Sequence, residues 1–183
     1  MNLRLADVVI VNKEKSAKPR NVKIVKNNVR KYNPSAIIID ARSVIKVNRP
    51  DLIKGKRVLV VEDGPTLTHG GMPFGAGMLA AVQYKAKPVD PRPYAVGSLR
   101  DVFKTYKHLK KVLPAMGYGE QQIKELEQTI NSTPADAVIS GTPIDLRRII
   151  RTNKPIVRIR YELQEIGKPT LSDILRKVLA KFF

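Results

Sequence analysis

The sequence predicts an α/β protein: a layered, mostly parallel sheet flanked by helices in the Rossmann-like manner, with an amphipathic helix at its C-terminal end. Three observations predict it. Short apolar runs such as Val8-Val9-Ile10-Val11, Ile37-Ile38-Ile39 and Val58-Leu59-Val60-Val61 recur, nearly continuous as in strands buried on both faces. Stretches with helical spacing lie between them. Polar clusters follow Val11, Val61, Val89 and Ser140, where parallel strands gather ligands at their carboxyl ends.

The elements follow in order. Ala6 to Val11 reads as a buried strand, and Asn21 to Tyr32 as a helix with Val22, Val25 and Val29 on one stripe. Asn33-Pro34 introduces a strand at Ala36 to Ile39, and Arg57 to Val61 is the next. Met78 to Val82 carries a small-residue helix signal, and Pro88-Val89-Asp90 is a short strand leading into the turn-rich Asp90 to Tyr94. Ser98, a good N-cap, opens a helix to about Tyr106. Lys111 to Pro114 suggests a strand, Glu120 to Ile130 a helix with Ile123, Leu126 and Ile130 aligned, and Ala135 to Ser140 a strand. Gly141-Thr142-Pro143 turns into a short helix over Asp145 to Ile150, and Ile156 to Leu163 is a strand with alternating Arg158 and Arg160. Pro169-Thr170 opens the last helix, apolar at Leu171, Ile174, Leu175, Val178, Leu179 and Phe182. Asn48-Arg49-Pro50-Asp51 breaks the pattern, so a basic lobe over 1–50 and a Rossmann-like domain over 51–183 are expected.

Composition narrows the setting. The 183 residues, 43% hydrophobic and 27% charged, suit a globular chain with one full core. No apolar run is long enough to span a bilayer, and the first residues carry no signal-peptide pattern. Cysteine is absent, which excludes thiolate chemistry and fits a reducing cytoplasm, the expected location. Abundant Lys and Arg also suit a thermophile. The net charge of +18 is unevenly spread. Residues 1–57 hold 15 Lys and Arg against 4 Asp and Glu, residues 58–146 hold 9 of each, and residues 147–183 hold 10 against 3. Two basic flanks around a neutral centre favour an anionic partner.

The neutral centre holds the most informative stretch, Glu62-Asp63-Gly64-Pro65-Thr66-Leu67-Thr68-His69-Gly70-Gly71, running through Gly75 and Gly77 into a helix. Glycines let backbone amides approach an anion, and a helix N-terminus adds a favourable dipole. The loop is not a Walker A loop, because it lacks the lysine and the Ser or Thr. Asn12-Lys13-Glu14-Lys15, after the first strand, is like the base-reading Asn-Lys-x-Asp of P-loop GTPases, but Lys15 stands where the carboxylate is needed.

Four stretches together resemble one family. They are Val60 to Gly71, Val89-Asp90-Pro91-Arg92-Pro93-Tyr94-Ala95-Val96-Gly97-Ser98, Val112-Leu113-Pro114-Ala115-Met116-Gly117-Tyr118, and Gly141-Thr142-Pro143-Ile144-Asp145-Leu146-Arg147-Arg148. They look like the C-terminal portion of cyclic 2,3-diphosphoglycerate synthetase, over roughly residues 6–163. That archaeal-type family closes 2,3-bisphosphoglycerate into a cyclic phosphoanhydride with ATP, in chains about twice this length or more. Its P-loop lies upstream of the region matched. The resemblance leaves open a divided enzyme, a shortened relative and a piece of a longer protein.

The resemblance implies ATP and Mg²⁺ as cofactors and a phosphorylated small molecule as substrate. Arg92, Arg147 and Arg148 would contact phosphates, since guanidinium binds them bidentately. Thr66, Thr68, Gly70 and Gly71 would cradle another phosphoryl group. Glu62 and Asp63 would hold Mg²⁺, and His69 would donate to phosphate or move a proton near neutral pH. A P-loop-bearing partner chain or a homo-oligomer would supply what is missing. The competing class is a non-catalytic RNA or ribosome binder. Its surface would be Lys23, Lys26, Arg30, Lys31, Arg42, Arg49, Lys56 and Arg57, although aromatic residues, at 5%, are scarce for base stacking.

Overall fold

The computed structural model describes residues 2–13 and 17–180. It is α/β with a mostly parallel sheet flanked by helices, as the sequence predicts. The chain divides into two compact units, residues 1–44 with 161–183, and residues 45–160.

In the N-terminal unit, β1 (Val8–Val11) runs parallel to β2 (Ile37–Val47), with Val8 opposite Ile37 and Val11 opposite Asp40. The crossover between them is α1 (Pro19–Tyr32), whose proline sits in the first turn, where no intrahelical N–H is needed. Val22 and Val29 are buried. Val25, placed by spacing on the same stripe, is 47% exposed, and Lys26 faces the sheet instead, its ammonium 2.7 Å from Asp40 Oδ2. The lysine stem covers apolar surface while its charge finds a carboxylate.

In the same unit the later part of β7 (Ile156–Ile166) leads into the C-terminal helix, here called α6 (Leu171–Leu179). Thr170 caps that helix: its hydroxyl accepts from Asp173 N, and the Asp173 carboxylate accepts from Thr170 N. Ile174 is buried on it, whereas Leu175, Val178 and Leu179 are about half exposed; Phe182 lies outside the described residues.

The larger unit is built on β3 (Arg57–Asp63). On one side β3 pairs in parallel with β6 (Ala137–Gly141), which pairs with the first residues of β7. On its other side β4 (Lys87–Pro88) pairs with its beginning and β5 (Leu113–Ala115) with its end. Val58, Leu59, Val60 and Val61 are all fully buried. Each such side chain contributes about 1.5–3 kcal/mol relative to exposure.

Between β3 and β4 come α2 (Gly64–Thr68) and α3 (Ala76–Gln83), and α3 packs on β3 and β6. Then α4 (Ser98–Thr105) packs against α5 (Glu120–Ser132). The N-cap of α4 is Gly97 rather than Ser98, because Ser98 uses both its amide and its hydroxyl on the Glu125 carboxylate. The helix expected over Asp145 to Ile150 shrinks to a 3-10 turn at Leu146–Arg148, with Asp145 as its cap. No helix among the described residues is long and apolar enough to cross a membrane.

Candidate functional site

All strands pairing with β3 are parallel to it, so the segments after β3, β4, β5 and β6 emerge at one end of the larger unit's sheet. The chain leaves β3 toward β4 and later returns to β6 on the opposite side. The carboxyl ends of β3 and β6 therefore flank a topological switch point, where open α/β sheets place ligands.

Glu62 stands at that point, and only 2% of it is exposed. Its Oε1 accepts from Gly75 N at 3.0 Å and from Met78 N at 2.9 Å, with the Gly77 amide beside them. The carboxylate thus caps the N-terminus of α3 and answers its dipole. Three glycines make room for it. A Cβ on Gly75 would lie 2.6 Å from Oε2, one on Gly77 3.1 Å from Oε1, and one on Gly141 would overlap Oε2. Burial pushes the Glu62 carboxyl above its ordinary range, and the amides pull it back only in part.

Asp63 points to the other face of the sheet, since successive strand residues alternate. Its Oδ2 accepts from Thr66 N at 3.3 Å and Thr66 Oγ1 at 2.7 Å, which caps α2. Thr68 is buried and donates its hydroxyl to Gly64 O at 2.9 Å. That hydroxyl also lies 3.0 Å from His69 Nδ1. A carbonyl can only accept, so the single hydroxyl proton belongs to Gly64 O and His69 Nδ1 carries the donated hydrogen. In neutral His69 the bare nitrogen is then Nε2, on an exposed ring. The amides of His69 and Gly70 both bond to Pro65 O, and Gly71 turns the chain at φ +60°.

The arginines form two matching arrangements. After β4, Arg92 grips Asp90 with Nε at 2.9 Å from Oδ1 and Nη2 at 2.6 Å from Oδ2. After β6, Arg147 grips Asp145 in the same way, at 2.9 and 2.6 Å. Each guanidinium holds its aspartate below the usual carboxylate range and is itself raised. Arg158 adds a third contact, donating to Pro143 O at 2.7 Å with its Nη1 3.7 Å from Asp145 Oδ2. Arg148 is exposed, and its guanidinium bonds to no described residue.

Some contributors were not singled out by sequence. Tyr118 OH lies 3.1 Å from Thr142 Oγ1, linking the ends of β5 and β6 across β3. His108 donates from Nε2 to Leu67 O at 3.1 Å and so ties down α2. Gly141 was seen as a turn residue, and only the Glu62–Gly141 register shows that it forms the wall beside a buried carboxylate.

The eight basic residues divide between the units. Lys23, Lys26 and Arg30 line an open cavity of about 600 Å³ along α1, Lys31 is exposed on the same helix, and Arg42 Nε donates to Gln164 Oε1 at 2.9 Å. In the larger unit Arg49 pairs loosely with Asp51, Arg57 pairs with Asp136 at 3.0 Å, and Lys56 is exposed.

With this geometry in view, comparison with known proteins finds the arginine synthetase ArcE of Thermococcus kodakarensis, 57% identical over 177 residues. That relative is a synthetase. The match covers 96% of the chain but 40% of the relative, so the chain spans two fifths of that protein's length. No family model matches the chain. Likeness to a synthetase therefore stands, while the product in the relative's name is arginine and not a cyclic diphosphoglycerate.

Proposed function

We propose that this chain forms the part of an arginine-forming, ATP-dependent synthetase that holds substrate at the carboxyl ends of β3, β4 and β6. The observation that carries the proposal is the 57% identity to an arginine synthetase over nearly the whole chain. The polar groups at the strand ends suit such a ligand. An α-amino acid with a guanidinium needs a cation for its carboxylate and an acceptor for its guanidinium. Arg148 offers the first, and Asp63 Oδ1, to which no described residue donates, offers the second.

The same residues define how far ATP and Mg²⁺ fit. Glu62 spends its carboxylate on backbone amides, so Asp63 is the remaining oxygen donor of the pair. Among the described residues no group of three or more His, Asp or Glu is arranged to hold a metal. Mg²⁺ would sit mainly on phosphate oxygens and reach this chain through Asp63. The amides of His69, Gly70, Gly75 and Met78 are bonded within the protein, so this loop as it stands does not cradle a triphosphate. No step is therefore derived through the nucleotide. In the neutral ring His69 Nε2 carries the free lone pair, and Arg92 and Arg147 would meet an anion only by exchanging their aspartates for it.

A second reading, cyclic 2,3-diphosphoglycerate formation, is supported by the four stretches quoted from the sequence. Both are tested on the chain alone by thermal unfolding with arginine and with 2,3-bisphosphoglycerate, for wild type and Arg148→Ala. A rise in Tm with arginine, lost in Arg148→Ala, supports the first reading. A response to the bisphosphate alone overturns it in favour of the second.

A further inference from the structure

We infer that the β1 edge and apolar flank of the N-terminal unit form an interface, occupied by the part of an ArcE-type synthetase that this chain does not contain. The proposal rests on the synthetase reading only in naming the occupant.

The larger unit shields its central strand completely, whereas the N-terminal unit leaves much of its apolar surface open. Ile10 is 36% exposed, Ile37 40%, Ile24 48% and Val25 47%. β1 is the last strand of its sheet and pairs only with β2 among the described residues. Paired residues in a parallel ladder share a face, so Val8, Ile10, Ile37 and Ile39 lie on one face and Val9, Val11, Ile38 and Asp40 on the other. The Lys26–Asp40 ion pair shows that α1 covers the second face. Ile10 and Ile37 therefore stand on the face away from α1, where Ile39 and Ala41 are buried, so the exposure is confined to the edge strand and the start of β2. On α1 itself, Val25 flanks the buried Val22 and Val29, and Ile24 stands on the outer side.

Parallel strands occur almost only where both faces are covered, and an uncovered edge is a template for another strand. One further strand beside β1, with a helix of its own over the edge, would pair the free edge and cover Ile10. A neighbouring helix packed beside α1 would cover Val25. The occupant is named by the comparison. Three fifths of the synthetase relative has no counterpart in this chain, enough polypeptide to supply both elements.

The test mixes the full chain with a separately produced polypeptide comprising the part of Thermococcus kodakarensis ArcE outside its match. Association is followed by sedimentation and by hydrogen exchange of the β1 amides. The expected result is a one-to-one complex, protection of the Val9 and Ile10 amides on mixing, and at least a 100-fold loss of affinity in the double variant Ile10→Asp, Val25→Glu. Circular dichroism checks that the variant melts as wild type does; if it does not, Val25→Glu alone and the wild-type exchange data decide. No complex, a complex indifferent to the substitutions, or a homodimer of this chain through the same face would each overturn the proposal. Association without arginine formation would sink the synthetase reading and leave the interface standing.

Discussion

Glu62 and Gly141 are partners in the β3–β6 ladder, and the Glu62 carboxylate occupies the space that a side chain at Gly141 would fill. A loop rich in glycine has thereby become a socket for the protein's own carboxylate, which binds the start of α3.

Gly141→Ala should destabilise the fold, because its Cβ would overlap Glu62 Oε2 and the buried carboxylate has nowhere to retreat. Overpacking of this kind costs about 1–3 kcal/mol. Urea unfolding measures it, and the double variant Gly141→Ala, Glu62→Ala should regain part of the loss. Additive losses would mean that the two residues do not meet.

Glu62 also gives stability a pH dependence of definite sign. Its folded-state pKa lies above the unfolded one, so the folded protein binds more protons in the window between them. Stability is therefore greatest below the ordinary carboxylate pKa and falls as pH rises through the folded value. Asp90 and Asp145 act oppositely: their stabilisation is present above the ordinary Asp value and fades as pH falls. Glu62→Gln should flatten the decline on the neutral side, and Asp145→Asn should soften the acid limb. Unfolding free energies across the carboxylate range check both, and an unchanged neutral-side slope in Glu62→Gln would refute the assignment.

Asp63→Ala removes the side-chain cap of α2 and should cost about 1 kcal/mol. Asp63→Asn keeps an accepting oxygen and should recover most of it. If the loss reflected charge instead of capping, the two variants would be equally unstable in chemical denaturation.

The neutral His69 ring should carry its hydrogen on Nδ1, the less usual tautomer, because the Thr68 hydroxyl donates its hydrogen bond to Gly64 O and has only its oxygen left to accept. Nitrogen-15 NMR of the ring distinguishes the tautomers. Thr68→Val should shift the population toward protonation on Nε2; an Nε2-protonated ring in the wild type would contradict the hydrogen-bond assignment.

Much of the fold was legible because strand burial writes itself into local sequence. Val58 to Val61 are apolar without interruption, and all four are sealed. Legibility failed where a charged residue did an apolar residue's work. Lys26 displaced Val25 from the sheet side of α1 because Asp40, distant in sequence, supplies a partner there. β2 runs on to Val47 through Asp40, Arg42 and Ser43, whose polarity hid the strand. At the site, the Asp90–Arg92 and Asp145–Arg147 contacts are two residues apart and were open to sequence reasoning, yet only coordinates show each fork closed on its neighbour.

By itself, then, the sequence determined the parallel α/β class, the order of elements and the gathering of polar residues after particular strands. Those properties depend on periodicities of two and of 3.6 residues within short windows. Tertiary structure alone decided that residues 161–183 group with 1–44, that Glu62 is spent on Gly75 and Met78, and that Gly141 stands beside it. Those outcomes depend on contacts between segments tens of residues apart. There the choice of partner follows from which desolvated group most needs one.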